Sequence, residues 1–281
     1  MSIASVPVEK LHERFGWKTP FVLPAESREK PLAAWNMELD DAPILRYVYR
    51  NLRPKRHLEF GTWQGFGAVC CLQETNATVW TINLPFGESM AEGSSGYRNG
   101  LAPAAEIQAW AAKVGLAPSA KSYHTDRLGF IGRMYLEKEL GNRVCQIYCD
   151  SQEWDVSNFP ADFFDSALID GGHSPEIVLA DTRKALRVLR PGGLILWHDF
   201  FLDAEARQKN ASVDKLVRVV DENLGWLQPQ LSDLFWIEPS WLLVGRKAGS
   251  DGRFARYFRR LGNALFDRSA EVGSPGNGRR A

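Results

Sequence analysis

His-Leu-Glu-Phe-Gly-Thr-Trp-Gln-Gly-Phe-Gly, residues 57–67, reads as a short apolar strand running into a glycine-rich turn. Two later stretches repeat the pattern: Ala-Leu-Ile-Asp-Gly-Gly-His-Ser at 167–174, and Leu-Arg-Pro-Gly-Gly-Leu-Ile-Leu-Trp-His-Asp-Phe at 189–200. Each puts an acid or a histidine at the end of an apolar run. In an open α/β sheet, ligands bind outside the carboxyl ends of the strands. The spacing therefore predicts that Glu59, Asp170, His173, His198 and Asp199 lie along one rim.

Strands and helices alternate outward from these stretches. Strands are expected at His57–Phe60, Thr78–Leu84, Arg143–Cys149, Phe164–Asp170 and Gly193–Trp197, and helices at Gln64–Glu74, Pro175–Leu189 and Ala211–Leu224. Leu234–Gly245 reads as two strands joined by a tight turn at Glu238-Pro239-Ser240, hence an antiparallel pair. Such alternation with a closing hairpin predicts an α/β fold: a doubly wound, seven-stranded, mostly parallel sheet with an antiparallel terminal hairpin.

Residues 1–55 read as an N-terminal helical cap. Asp40-Asp41 with Pro43 just behind marks a helix start, and Ile44, Leu45, Val48 and Leu52 follow at helical spacing. Residues 85–140 form a long insertion, helical from Ala104 to Val114. With His124 and Thr125–Gly132 it would suit a lid over a ligand or a substrate pocket, or equally a plain surface insertion. The central unit then spans 56–247.

The charges balance, 34 basic against 34 acidic, so nothing global points to nucleic acid. From Lys247 to Ala281 eight basic and three acidic residues leave +5, and the rest carries −5. Within this tail Phe254, Tyr257, Phe258, Leu261 and Leu265 make an apolar stripe flanked by arginines. The 253–266 segment could lie on an anionic membrane surface, dock on its own domain or meet a second copy in a homo-oligomer. The end of the tail reads as disordered. Cys70, Cys71, Cys145 and Cys149 lack metal-like spacing and read as buried free thiols, which fits a reducing compartment. Charges interrupt the N-terminus where a signal peptide needs an apolar core, and no apolar stretch is long enough to span a bilayer. The expected location is cytoplasmic.

The loop Glu59-x-Gly61-x-x-x-Gly65-x-Gly67 is not the G-x-G-x-x-G of a dinucleotide site. It resembles the first motif of class I S-adenosylmethionine-dependent methyltransferases, with their Rossmann-like fold. The resemblance implies that Gly61, Thr62 and Gly65 wrap the amino-acid end of the cofactor and that Glu59 helps hold its ammonium group. It also implies that Asn83 stands at the ribose hydroxyls, where the family carries an acid, and that Asp150 and Ser151 meet the adenine.

Residues 164–174 and 189–199 resemble the fourth and fifth strands of a branch related to catechol-type and macrolide-sugar O-methyltransferases. In its metal-dependent members the acids matching Asp170 and Asp199 hold a divalent ion. Here His198 precedes the latter, where several relatives have a second acid or an amide beside it. Two carboxylates suit Mg²⁺, and an imidazole shifts preference toward Mn²⁺, Fe²⁺ or Zn²⁺. The candidate metal ligands are thus Asp170, Asp199 and His198. The candidate catalytic residues are Asp170, His173 and His198, with His173 as a base for a hydroxyl proton and Asp170 also touching the cofactor. The implied acceptor is a sugar or small natural-product hydroxyl. Two other readings stay open: a hydroxylase or oxidoreductase using a two-histidine, one-carboxylate iron site, and a non-catalytic cofactor-binding module.

Overall fold

The structure, a computed structural model, describes residues 3–84, 131–209 and 211–249. Its strands are β1 (Ala4–Pro7), β2 (Arg56–Phe60), β3 (Thr78–Asn83), β4 (Val144–Tyr148), β5 (Phe164–Ile169), β6 (Leu189–Trp197), β7 (Leu231–Glu238) and β8 (Leu243–Lys247). They form one eight-stranded sheet in the order β1-β7-β8-β6-β5-β2-β3-β4. Only β8 runs antiparallel to its neighbours, β6 and β7. All other pairings are parallel.

The eighth strand corrects the expectation of seven strands under a purely helical cap. β1 pairs with β7 from Ala4 opposite Phe235 to Pro7 opposite Glu238. It is short, mostly exposed and at the sheet edge, so it carries no alternating pattern, and a proline is tolerated there. Behind it Arg14 pairs with Asp233, and Arg246 lies over the Phe15 ring, fastening the N-terminal segment to β7 and β8.

Chain order explains where the site must lie. The β2-to-β3 step carries the helix Phe66–Glu74, and the β5-to-β6 step carries the helix Pro175–Val188. These steps leave the central β2/β5 pair in opposite directions. Right-handed crossovers therefore place the two helices on opposite faces of the sheet. The helix Ala42–Leu52 packs against the first, and Ala211–Glu222 against the second. Leu58, Phe60, Ala167, Leu168, Leu194, Ile195, Leu196 and Trp197 are buried between these layers, as the continuous apolar runs of a doubly covered parallel sheet require. His57 is a core residue too, hydrogen-bonded to Ser166 and Tyr49. Burial drops its pKa to about 3, so it stays neutral.

Cys70 and Cys71 are buried as expected, but Cys145 is exposed and Cys149 half-buried. Both belong to β4 and its end, and among the described residues β4 has a neighbouring strand on one side only. The Ala104–Val114 helix, His124 and the 253–266 stripe lie outside the described residues. No helix among the described residues is long and apolar enough to cross a membrane.

Candidate active site

The reversal of strand order between β2 and β5 creates the crevice in which open α/β sheets bind ligands. Ladder bonding continues past the strand ends into the rim. Gly61 N–H donates to Ile82 O (2.8 Å), Asp170 N–H to Phe60 O (2.8 Å), His198 N–H to Ile169 O (3.0 Å) and Cys149 N–H to Asn83 O (3.1 Å). The backbone carrying the candidate residues is therefore held as part of the sheet.

The glycine loop is pinched against the end of β5. Gly61 has φ +95°, and a Cβ there would lie 2.0 Å from the Asp170 carbonyl oxygen. Gly65, at φ +90°, starts the Phe66–Glu74 helix with no side-chain cap, and of the first-turn N–H groups that of Ala68 is directed at Glu59. Gly67 lets that helix approach β2, where its Cβ would lie 2.1 Å from Glu59 Oε1.

Glu59 is therefore not on the open rim. It is fully buried under the loop, at the end of a relay of hydroxyls and amides. Tyr135 donates to Gln146 (2.8 Å), Gln146 to Thr62 (3.0 Å), Thr62 meets Thr81 (2.7 Å), and Thr81 donates to Glu59 Oε2 (2.6 Å). Glu59 Oε1 has no aligned hydrogen bond, although the Ala68 N–H of the following helix acts on the carboxyl group. Burial pushes the Glu59 carboxyl up to about 8, against the Thr81 hydrogen bond. Thr62 is likewise committed to this network, with its side chain buried.

Asn83 secures the loop from beside it. Its Oδ1 accepts Trp63 N–H (2.9 Å), and its Nδ2 donates to Leu84 O (2.8 Å), a pair of bonds that an aspartate could not make. Asp150 stands past β4 and accepts Gln152 N–H in a tight turn (2.9 Å). Ser151 hydrogen-bonds the buried Asp181, whose carboxyl burial raises to about 7. Lys184 braces the same turn by donating to the carbonyls of Ser151 and Gln152.

On the other side of the crevice the four remaining residues meet. His173 Nε2 lies 2.8 Å from Asp199 Oδ2. His198 Nδ1 lies 3.2 Å from Asp170 Oδ1 and 3.3 Å from Asp199 Oδ1. The hydrogen bond to Asp199 raises the His173 pKa, against burial. Burial opposes ionisation of Asp199, but His198 and His173 outweigh it and hold its carboxyl well below the usual range. Burial likewise opposes charging of His198, and Asp170 and Asp199 overcome it, raising its pKa well above the ordinary value. Asp199 has φ +56°, in the left-handed region that aspartate enters more readily than most non-glycine residues.

Asp170, His173 and Asp199 present ligand atoms within 4.8 Å of one another. His173 thus stands in the cluster where the sequence suggested His198. The latter is enclosed beneath, its side chain 2% exposed. Asp41 joins them from the N-terminal segment: fully buried, it lies 3.4 Å from His198 Nε2. Burial raises its carboxyl, partly offset by His198 and by the Trp241 N–H. Its only signal in the sequence, an acid pair before a proline, is also that of an ordinary helix start.

Residues 58–200 match the family model described as a methyltransferase domain. No curated protein sequence matches the chain. Among solved structures, the SAH-bound methyltransferase PaMTH1 of Podospora anserina is 15% identical, over 87% of this chain and 89% of that one, with a TM-score of 0.48. The O-methyltransferase TomG of Streptomyces achromogenes, involved in tomaymycin synthesis and solved with SAM, is 13% identical over 86% and 88%, with a TM-score of 0.45. Both are loose likenesses of layout. The family match takes in more than half of the residues, and the chain belongs to the methyltransferase domain family.

Proposed function

We propose that the protein methylates a hydroxyl oxygen of a small acceptor, a sugar or natural-product alcohol, with His173 as general base. The observation that carries this reading is the His173–Asp199 pair, 2.8 Å apart and partly open to solvent beside the crevice. Donating Nε2–H to Asp199 fixes the ring and leaves Nδ1 to accept the hydroxyl proton, the logic of any base oriented by a carboxylate. Such help is worth roughly 10²–10⁴-fold. Holding the acceptor oxygen in line with the methyl group supplies much of the rest.

The crevice fits the cofactor on two observations: the uncapped helix start at Gly65, which would receive its carboxylate, and the buried Glu59 Oε1 beneath the loop, which has no aligned hydrogen bond. When bound, the cofactor supplies an electrophilic sulfonium methyl. Asp150 and Ser151 would line the adenine end, and Asn83 would act there mainly by fixing the loop.

A second reading rests on the Asp170–His173–Asp199 cluster. These residues would hold a divalent cation, and their mixed oxygen and nitrogen donors favour Mn²⁺, Fe²⁺ or Zn²⁺ over Mg²⁺. His173 would then be a ligand, and the cation would acidify the acceptor hydroxyl. An iron hydroxylase is less well supported, because the cluster offers one imidazole and two carboxylates rather than the reverse. The test is calorimetric titration with S-adenosylmethionine and S-adenosylhomocysteine, NAD⁺ as control, with and without Mg²⁺ or Mn²⁺. An acceptor screen with and without chelator follows. Micromolar binding of the first two with chelator-resistant turnover supports the base reading; turnover lost to chelator supports the metal; no binding of either sinks both.

A further inference from the structure

A turn of π-helix at Met37–Asp41 directs two adjacent carboxyl groups inward, Asp40 at 1% and Asp41 at 0% exposure. Asp40 is tied to its own segment, accepting from Ser27 Oγ (2.5 Å), Lys30 Nζ (3.0 Å) and Asn36 N–H (2.7 Å). Asp41 reaches across the molecule instead. Its Oδ1 accepts the N–H of Trp241 (3.0 Å), just before β8, and its Oδ2 lies 3.4 Å from His198 Nε2. The other nitrogen of that ring faces Asp170 and Asp199 at 3.2 and 3.3 Å, and the Trp241 ring flanks it at 5.9 Å. His198 thus has carboxylates at both nitrogens and almost no access to water. The contacts are too oblique for aligned hydrogen bonds. Enclosure between Asp41, the Trp241 ring and the two rim acids therefore sets the ring's place, and the ring in turn sets where the two rim carboxyl groups lie.

We infer that Asp41 is a positioning residue of the methyl-transfer rim, holding Asp170 and Asp199 through His198 and, through Asp199, the ring of His173. This rests on the reading of Asp170, His173 and Asp199 as the reacting groups. It makes the N-terminal segment a working part of the site: Asp40 fixes the turn, and Asp41 uses it. A residue that merely filled the core beside His198 would leave His173 untouched, since Asp41 makes no contact with it.

The experiment is histidine-ring ¹⁵N–¹H spectroscopy of the full chain at one fixed pH, with and without S-adenosylhomocysteine. It compares the natural protein with Asp41→Asn, His198→Gln and the double variant. Asparagine keeps the shape of Asp41 and an oxygen for the Trp241 N–H, so circular dichroism and S-adenosylhomocysteine affinity should stay close to those of the natural protein. Asp41→Asn should shift the His198 ring signals and also those of His173. Added to His198→Gln, it should move His173 no further. A His173 spectrum unchanged by Asp41→Asn overturns the inference. If that variant does not fold, His198→Gln alone must shift His173, and an unmoved His173 overturns it equally. Failure of the natural protein to bind S-adenosylhomocysteine counts against the cofactor reading alone; the spectra recorded without it still decide whether Asp41 acts on His173.

Discussion

Gly61 and His173 carry the two sharpest expectations at the scale of single residues. A Cβ at Gly61 would collide with the Asp170 backbone, not only with a ligand, and its φ is positive. Gly61→Ala should therefore lower the melting temperature as well as abolish S-adenosylhomocysteine binding. Gly171→Ala, whose Cβ would meet its nearest neighbours at an ordinary 3.6 Å, should leave the melting temperature nearly unchanged. Equal melting temperatures for the two variants would contradict the proposed pinch between loop and β5. His173→Gln should cost roughly 10²–10⁴ in turnover with cofactor affinity kept within a few-fold. A base works in its neutral form, and the hydrogen bond to Asp199 raises the His173 pKa above its ordinary 6.5. The rate should accordingly rise with pH along a limb centred above 6.5, and Asp199→Asn should move that limb to lower pH. A limb that stays in place would separate the two residues.

Among the elements, the Pro175–Val188 helix shows how sequence signals and site geometry coincide. Ser174 accepts the N–H of Ile177 as its N-cap, and Pro175 takes the first helical position. His173 immediately precedes the cap, so the cap aims the proposed base. Ser174→Ala should cost about 1 kcal/mol in denaturant unfolding. It should lower turnover more than it changes cofactor binding, and no change in either would leave the cap without a role. The central strands were legible because burial on both faces leaves near-continuous apolar runs, as in Ala167–Ile169 and Leu194–Trp197. β1 was not legible, since a four-residue edge strand with mostly exposed side chains has no pattern to read. The rim acids and histidines could be read from their places at strand ends. Glu59 stands one residue inside β2 instead of beyond it, which points it under the loop. Asp41 could not be found because its partners, His198 and Trp241, are distant in sequence and only the folded sheet brings them near.

For the molecule as a whole, the buried carboxyl groups set how stability follows pH. Glu59 titrates near 8 and Asp181 near 7 in the folded protein, both raised by burial from 4.5 and 3.8. The folded state therefore keeps protons that the unfolded chain has already released. Stability must fall as pH rises from each unfolded value toward the folded one, by up to about 1.4 kcal/mol per pH unit per group. Asp165 acts the other way: burial opposes its ionisation, but Arg190 and the N–H groups of Arg56 and Lys55 outweigh it and lower its pKa. Its contribution is present at neutral pH and lost on acidification. Glu59→Gln removes one of the two groups responsible for the decline and keeps an oxygen to accept from Thr81. Chemical denaturation at a series of pH values between 4.5 and 8 should show a shallower fall for the variant, with the gap to the natural protein widest near pH 8. Parallel curves would mean that Glu59 is already ionised in the folded protein, and that the carboxyl group beneath the glycine loop carries a full charge before any ligand arrives.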